Sequence, residues 1–145
     1  MTTEPRTATD ANEVFVRCMM ASTGLPEETV RAAWRQMLWV KEVWPRLGSE
    51  TLPDGPTTDK HDLLLRGVAA PDSDQKLTQA LIYFRRDGKL FKPEYCPTTN
   101  PPTLVLWKSW DTIEPLMMAL KSAKATYCWV GHVAGAVYGD VTCQL

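Results

Sequence analysis

The chain lacks the sequence features that mark membrane-spanning, secreted and strongly nucleic-acid-binding proteins. No apolar run approaches the roughly 20 residues that a membrane-spanning helix needs. The first residues, MTTEPRTATD, lack the apolar core of a secretory signal. The formal net charge of −1 provides no overall basic excess for binding a phosphate backbone. These absences predict an intracellular, cytoplasmic protein that does not enter a membrane.

Closely spaced cysteines are also missing. The four cysteines are Cys18, Cys96, Cys128 and Cys143, and no two of them form a C-x-x-C pair. Structural zinc sites normally use such pairs, and a disulfide framework is unusual in a chain of this length without a secretory signal. We therefore expect free thiols, most of them buried, and we expect no bound metal and no cofactor.

The remaining composition is that of an ordinary globular protein. A chain of 145 residues with 44% hydrophobic and 23% charged residues is long enough for one independent core. The polar start predicts a flexible N-terminus over residues 1–9 and one α+β domain over residues 10–145. Helical patterns come first and strand patterns follow. The predicted fold is an N-terminal helical hairpin packed on a small, mostly antiparallel sheet with additional short helices.

The predicted helical hairpin has clear start and stop signals. The first helix runs through residues 13–20, and Gly24 lies in the connection that follows it. The second helix is predicted over Pro26–Trp44, because proline is favoured at the first helical position and acidic residues follow it. Pro45 is predicted to end this second helix.

The second predicted helix carries an unusually wide apolar surface. Three of the six tryptophans lie in it, and its apolar residues would cover about 220° of the helix circumference. Such a surface suggests packing on two sides, with a partner protein covering part of it. The leading hypothesis is a non-enzymatic protein that binds another protein and self-associates through this helix edge and the adjoining loop. The candidate binding residues here are Arg31, Trp34, Arg35, Trp39 and Trp44.

Further elements are predicted along the rest of the chain. They are a surface loop over residues 46–59, a strand over 61–68, a short helix over 71–80, a β-hairpin over 83–92 with its turn at Asp87 and Gly88, a buried strand over 103–107, a helix that begins near Asp111 and ends near Lys124, and two closing strands over 126–130 and 136–142.

Two alternative functions remain open at this stage. A small hydrolase or transferase could use Cys128 as nucleophile, His132 as base and Asp140 to orient the base. Nucleic acid could bind the basic hairpin over residues 83–92, where cations lie among aromatic residues. The candidate residues of that hairpin are Arg85, Arg86 and Lys89, which could equally bind an acidic protein. Both alternatives are less favoured than protein binding.

Overall fold

The computed structural model of this protein describes residues 8–51 and 53–144. The strands are Trp34–Thr51 (β1), Thr57–Ala69 (β2), Gln79–Arg85 (β3), Glu94–Cys96 (β4), Thr103–Ser109 (β5), Ala125–Val133 (β6) and Ala136–Gln144 (β7). The helices are Ala8–Thr23 (α1), Glu27–Arg31 (α2) and Ile113–Ser122 (α3), and a short 3₁₀ helix over Trp110–Thr112 precedes α3. None of the helices in the described residues is long and apolar enough to cross a membrane.

All seven strands belong to one sheet that curls into a half-barrel, in the order β4-β5-β3-β2-β1-β6-β7. Neighbouring strands pair antiparallel, except that β3 and β5 run parallel. Strands account for 48% and helices for 24% of the structure. The protein is therefore built around a large sheet and one long helix, and the predicted helical hairpin on a small sheet is wrong.

The error lies in the segment from Pro26 to Trp44. The first predicted helix is confirmed as α1, and Gly24 ends it with a φ of +69°. The second helix, however, is the five-residue α2, and the chain then enters β1. Near the start of β1, Leu38 and Trp39 pair with both β2 and β6, and residues 36–40 are buried. The continuous apolar run of residues 37–40 lacks the alternation that would identify a strand.

Two apolar clusters hold the fold together, one on each side of the sheet. On the outer side, α1 and α2 pack over β1 and β6, with a cluster that includes Phe15, Met19, Val30, Met37, Trp39, Tyr127 and Trp129. On the inner side, α3 packs into the curl against a cluster that includes Leu38, Val40, Leu65, Ile82, Leu104, Leu106, Cys128 and Val130. The inner cluster draws residues from β1, β2, β3, β5 and β6, so it occupies the concave side.

The two ends of the curled sheet approach each other. The Lys108 ammonium lies 3.0 Å from an Asp140 carboxylate oxygen, which joins β5 to β7. Gly139 on β7 lies against Pro93, and a Cβ at this glycine would come within 2.5 Å of the proline Cβ. Only glycine fits this approach, because a larger residue would push the two ends of the sheet apart.

The predicted loop over residues 46–59 is mostly a two-stranded ribbon. β1 and β2 continue to pair as far as Thr51 and Thr57, whereas β6 pairs with β1 only as far as Trp39. The proline, glycine and aspartate residues of this segment are depleted in strands, which explains the error. Leu47 is 72% exposed on this ribbon.

The other predicted elements have mixed outcomes. The strands over 61–68, 103–107, 126–130 and 136–142 and the helix near 111–124 are confirmed. The short helix over 71–80 is wrong, because turns precede β3 there. The hairpin over 83–92 is also wrong, since β3 ends at Arg85 and β4 pairs with β5. Of the N-terminal segment 1–9, residues 8 and 9 lie in α1, and residues 1–7 lie outside the described residues.

Candidate binding surface

The outer side of the sheet is covered unevenly. Every residue of β6 except His132 is buried, because α1 lies over its outer side and the concave cluster over its inner side. The residues of β3 instead alternate between buried and partly exposed. Ala80, Ile82 and Phe84 point into the concave cluster, whereas Leu81 and Tyr83 point outward. Among the described residues, no helix covers the outer side of β2, β3 and β5.

An apolar row crosses four strands on this uncovered side. Trp44, Leu64, Leu81 and Val105 are successive partners on β1, β2, β3 and β5. Trp44 is 54% exposed, and the other three are partly exposed. In the next row, the rings of Tyr83 and Trp107 stack with centroids 4.6 Å apart. We call these six residues the open face.

Charged residues border the apolar row at its β1 and β2 end. Toward one end of the strands, Glu42 on β1 lies opposite Arg66 on β2 in the strand register. A Glu42 carboxylate oxygen accepts a hydrogen bond of 2.9 Å from the Trp44 indole. Toward the other end, Arg46 Nε donates to Asp62 Oδ1 at 2.5 Å. This ion pair holds the pKa of Arg46 above its ordinary value. The open face thus has an apolar centre and a charged margin.

Phe91 extends the open face beyond β5. Its ring is 55% exposed and contacts the Trp107 ring edge-on, with centroids 4.8 Å apart. The Arg85 guanidinium lies 5.1 Å from the centroid of the Phe91 ring and pairs with Asp87 at 2.6 Å. The hydrogen bond to Asp87 raises the pKa of Arg85. The chain after β3 therefore brings one more aromatic ring to this surface.

The other basic candidates of the 83–92 segment lie nearby. The Arg86 guanidinium lies 3.9 Å from the centroid of the Trp110 ring, on which His61 also stacks at 4.3 Å. Lys89 is exposed, and its backbone N–H donates to Asp87. The cations of this segment thus lie beside aromatic rings or an acidic residue, and they do not form a continuous basic stripe.

Arg31 joins α2 to α1, and Arg35 fastens α1 to the sheet. Arg31 lies 2.9 Å from Glu13 on α1 and 3.0 Å from Glu27 on α2. Arg35, on β1, donates two hydrogen bonds to the Asn12 amide oxygen and stands over the Phe15 ring. Partial burial lowers the pKa of Arg35. The contacts of both arginines hold α1 and α2 on the outer side of β1.

Of the three predicted tryptophans, only Trp44 lies on the open face. Trp39 is 4% exposed in the outer cluster, and the Lys41 ammonium lies 4.5 Å from the centroid of its ring. Trp34 lies at the other end of β1, where its ring contacts His132 at 4.5 Å and Tyr95 at 6.0 Å. These contacts give Trp34 and Trp39 neighbours within the same chain.

A polar contact closes the end of the curl near Trp34. The Tyr95 hydroxyl donates a hydrogen bond to an Asp74 carboxylate oxygen, which joins β4 to the connection between β2 and β3. Burial and the neighbouring Asp74 carboxylate raise the pKa of Tyr95 to about 12. The same hydrogen bond lowers the pKa of Asp74. This contact holds together two segments that are far apart in the chain.

The proposed catalytic residues do not converge. The Cys128 side chain is fully buried, and this burial raises the pKa of its thiol well above the ordinary value. His132 lies four residues further along β6, which is about 13 Å on an extended strand. This separation keeps the Cys128 thiol out of hydrogen-bond reach of the His132 ring. Asp140 pairs with Lys108. Within the described part of the chain, no group of three or more His, Cys, Asp or Glu residues could hold a metal ion.

The residues of the open face, apart from Trp44, were missed at the sequence level. The signal was present as continuous apolar runs, LLL at 63–65, ALIYF at 80–84 and TLVLW at 103–107. A strand with apolar residues on both sides is normally covered on both sides. Three such strands lie next to one another in this sheet, and the described helices cover only their inner side.

No protein-family model, no curated protein and no solved structure matches this chain. Its function must therefore be inferred from the surfaces and side chains described above.

Proposed function

We propose that this protein acts without catalysis, by binding another protein through the open face. One observation carries the proposal: β2, β3 and β5 have apolar side chains on both sides, and the described helices cover only the inner side. Trp44 is exposed and the other five residues of the open face are partly exposed. Contiguous apolar surface that is open to water marks sites of interaction on monomeric proteins. A partner that covers the patch removes apolar surface from water, which is the main driving force of association.

The composition of the open face favours a protein over a nucleic acid as partner. Tryptophan, tyrosine and arginine contribute most to protein interfaces, and charged residues belong at their margins. Trp44, Tyr83 and Trp107 lie at or beside the centre, and Arg46 and Asp62 lie at the margin. Nucleic-acid binding depends on cations that neutralise successive phosphates. The contacts of Arg46 with Asp62 and of Arg85 with Asp87 reduce the positive charge available for that purpose.

The state of the cysteines supports a cytoplasmic location. All four cysteines are free thiols. Disulfides are rare in reducing compartments, so free thiols are the usual state there. Self-association is part of the proposal, because an open apolar face can be covered by a second copy of itself.

Position-specific photo-cross-linking tests the proposed function. A photoreactive residue replaces Leu64 on the open face, or Met118 on α3 as a control that is 66% exposed. We expect defined covalent adducts from position 64 in cells that express the protein natively, and we expect these adducts to disappear when Leu81→Asp is added. Position 118 should give none of them. The same adducts from both positions, or no adduct at position 64, would contradict the proposal.

A further inference from the structure

We propose that the end of the curl near Trp34 is a second binding site, and that its ligand is an organic cation of the quaternary ammonium class. The site consists of Trp34, Asp74, Tyr95 and His132, which we call the mouth cluster. These residues lie at one end of the inner side of the sheet, whereas the open face lies on the outer side. This inference goes beyond the proposed function and does not depend on it.

Three strands bring the aromatic rings of the mouth cluster together. Trp34 begins β1 and is the partner of His132 near the end of β6, and their ring centroids are 4.5 Å apart. The Tyr95 ring, from β4, lies 6.0 Å from the Trp34 ring and packs against the concave cluster. Gln36 is the partner of Val130, which belongs to that cluster. Trp34, two residues before Gln36, therefore shares the inner side with it.

Hydrogen bonds close these residues into a circuit. The Asp74 N–H donates to the Gln36 side-chain oxygen at 2.7 Å. The Tyr95 hydroxyl donates to an Asp74 carboxylate oxygen. Because Gln36 follows Trp34 on β1 and Tyr95 contacts Trp34, the circuit surrounds this end of the curl. The mouth of a barrel is a common place for a small-molecule site.

The Trp34 ring is accessible from solution. It is 43% exposed although two other rings contact it, whereas Trp39 and Trp129 are each only 4% exposed. His132 is exposed as well. The face of an indole ring attracts cations that come within about 6 Å of its centroid. A cation can therefore reach Trp34 without any rearrangement of the core.

Among the described residues, every other group of contacting aromatic rings already has a cation from this chain over one of its rings. These cations are Arg35 over Phe15 at 4.7 Å, Arg85 over Phe91 at 5.1 Å and Arg86 over Trp110 at 3.9 Å. No lysine or arginine of the described residues lies over a ring of the mouth cluster. This cluster thus presents the same kind of surface with no cation of its own.

Asp74 supplies the negative charge that a bound cation needs. Hydrogen bonds from the Tyr95 hydroxyl and the Lys76 backbone lower the pKa of Asp74, so its carboxylate is ionised at neutral pH. Within the described residues, Asp74 forms no ion pair, and the Lys76 charge acts on it only at longer range. The carboxylate is therefore available to balance the charge of a ligand.

The hydrogen bonds already present favour a cation that has no N–H groups. One Asp74 oxygen accepts from Tyr95, the other accepts from the Lys76 N–H at 3.0 Å, and the Gln36 oxygen accepts from Asp74. A primary ammonium must leave water on binding, and it finds these acceptors in use. A quaternary ammonium donates no hydrogen bond, and aromatic rings are its usual binding partners.

NMR signals of the indole N–H groups test the site in the wild-type protein. The Trp34 signal is identified by its loss in Trp34→Phe. We expect choline chloride to shift this signal saturably, with a dissociation constant on the order of 1 mM. The same concentration of sodium chloride should not shift it, and neither should the uncharged isostere in which carbon replaces the choline nitrogen. The signal of Trp44, which is 54% exposed on the open face, should stay in place.

Variants then separate the ring from the charge. Saturation-transfer NMR on the choline methyl protons should lose its signal in Trp34→Leu. Trp44→Leu is the matched control, because it removes an exposed tryptophan from the same strand, and it should bind choline normally. Asp74→Asn keeps an acceptor for Tyr95 but removes the charge, so it should weaken choline binding by about tenfold.

A peptide that carries trimethyllysine, and the same peptide with unmodified lysine, identify the source of the ammonium group. Tighter binding of the methylated peptide than of choline would indicate a side chain of another protein, and the reverse would indicate a free small molecule. The unmodified peptide should bind at least about fivefold more weakly than the methylated one.

Three results would overturn the inference. The first is that neither choline nor the methylated peptide shifts the Trp34 signal. The second is that the uncharged isostere or the unmodified peptide shifts it as strongly. The third is that Trp44→Leu reduces choline binding as much as Trp34→Leu does. The photo-cross-linking at position 64 is read independently of all three, so either proposal can fail while the other stands.

Discussion

Gly67→Ala is expected to destabilise the protein by about 3 kcal/mol, an amount at the upper end of the usual effect of overpacking. A Cβ at Gly67 would overlap the Trp39 carbonyl oxygen and lie 2.8 Å from the Trp39 carbonyl carbon. These are backbone atoms of the neighbouring strand, so they cannot move aside as the end of a side chain could. The site adjoins the irregularity between Val40 and Glu42, where the register of β1 and β2 shifts.

The free energy of unfolding in urea measures this effect, and Gly48→Ala is the matched control. Gly48 lies in the ribbon of the same two strands, and a Cβ there has no atom within 4 Å. We expect the control to change stability by no more than about 0.5 kcal/mol. A Gly67→Ala variant as stable as the control would show that β1 and β2 do not approach each other as closely as described.

Arg46→Met is expected to destabilise the protein by about 2 kcal/mol. Asp62 is only 3% exposed, and Arg46 is the cation that pairs with it. Removing one partner of a buried pair leaves an uncompensated charge, which costs about 3 to 5 kcal/mol when both partners are buried. The Arg46 side chain is 51% exposed, so water reaches the pair and the expected cost is smaller.

Two further variants isolate the contribution of the ion pair. Arg66→Met removes an exposed arginine from the same side of β2, and we expect a loss below about 0.5 kcal/mol in the same urea titration. Adding Asp62→Leu to Arg46→Met should recover part of the lost stability, because no unpaired carboxylate remains. If Arg46→Met and Arg66→Met had equal effects, Asp62 would not depend on Arg46.

The sequence was most informative where a local signal agreed with the packing. Residues 13–20 carry an apolar stripe on one helix face, and this face packs on the sheet in α1. Gly24 was expected in a turn and has the positive φ that glycine tolerates. The strand over residues 103–107 was expected from its β-branched and aromatic residues, which favour strands for local reasons.

The segment after α2 shows why the rest of the fold could not be predicted in the same way. Residues 37–40 are apolar on both sides because β1 lies between two clusters, a fact that depends on α1 and on distant strands. Pro45 was expected to end a helix, but it lies in β1 opposite Leu63. Among the described strands, β1 has β2 as its only neighbour at that point, and proline is tolerated on such an edge.

The open face was hidden from sequence analysis for a related reason. The wide apolar surface was assigned to a helix over Pro26–Trp44, which is wrong, because most of this segment lies in β1. The predicted binding residues were therefore placed mainly on one element. The central row of the open face takes one residue from each of four strands. Its members are up to 61 positions apart in the sequence, and only strand register brings them together.

The stability of a variant with a polar open face is the most direct test of the central claim that this surface lies on the exterior of the protein and is not part of its core. The variant combines Leu64→Thr, Leu81→Thr and Val105→Thr and is compared with Leu65→Thr, whose side chain points into the concave cluster. Urea unfolding is measured at protein concentrations where all variants are monomeric. We predict that the triple variant loses less than about 1.5 kcal/mol, whereas Leu65→Thr alone loses about 3 kcal/mol. A triple variant that unfolds, or loses more than Leu65→Thr, would show that these side chains belong to the core and would contradict the account.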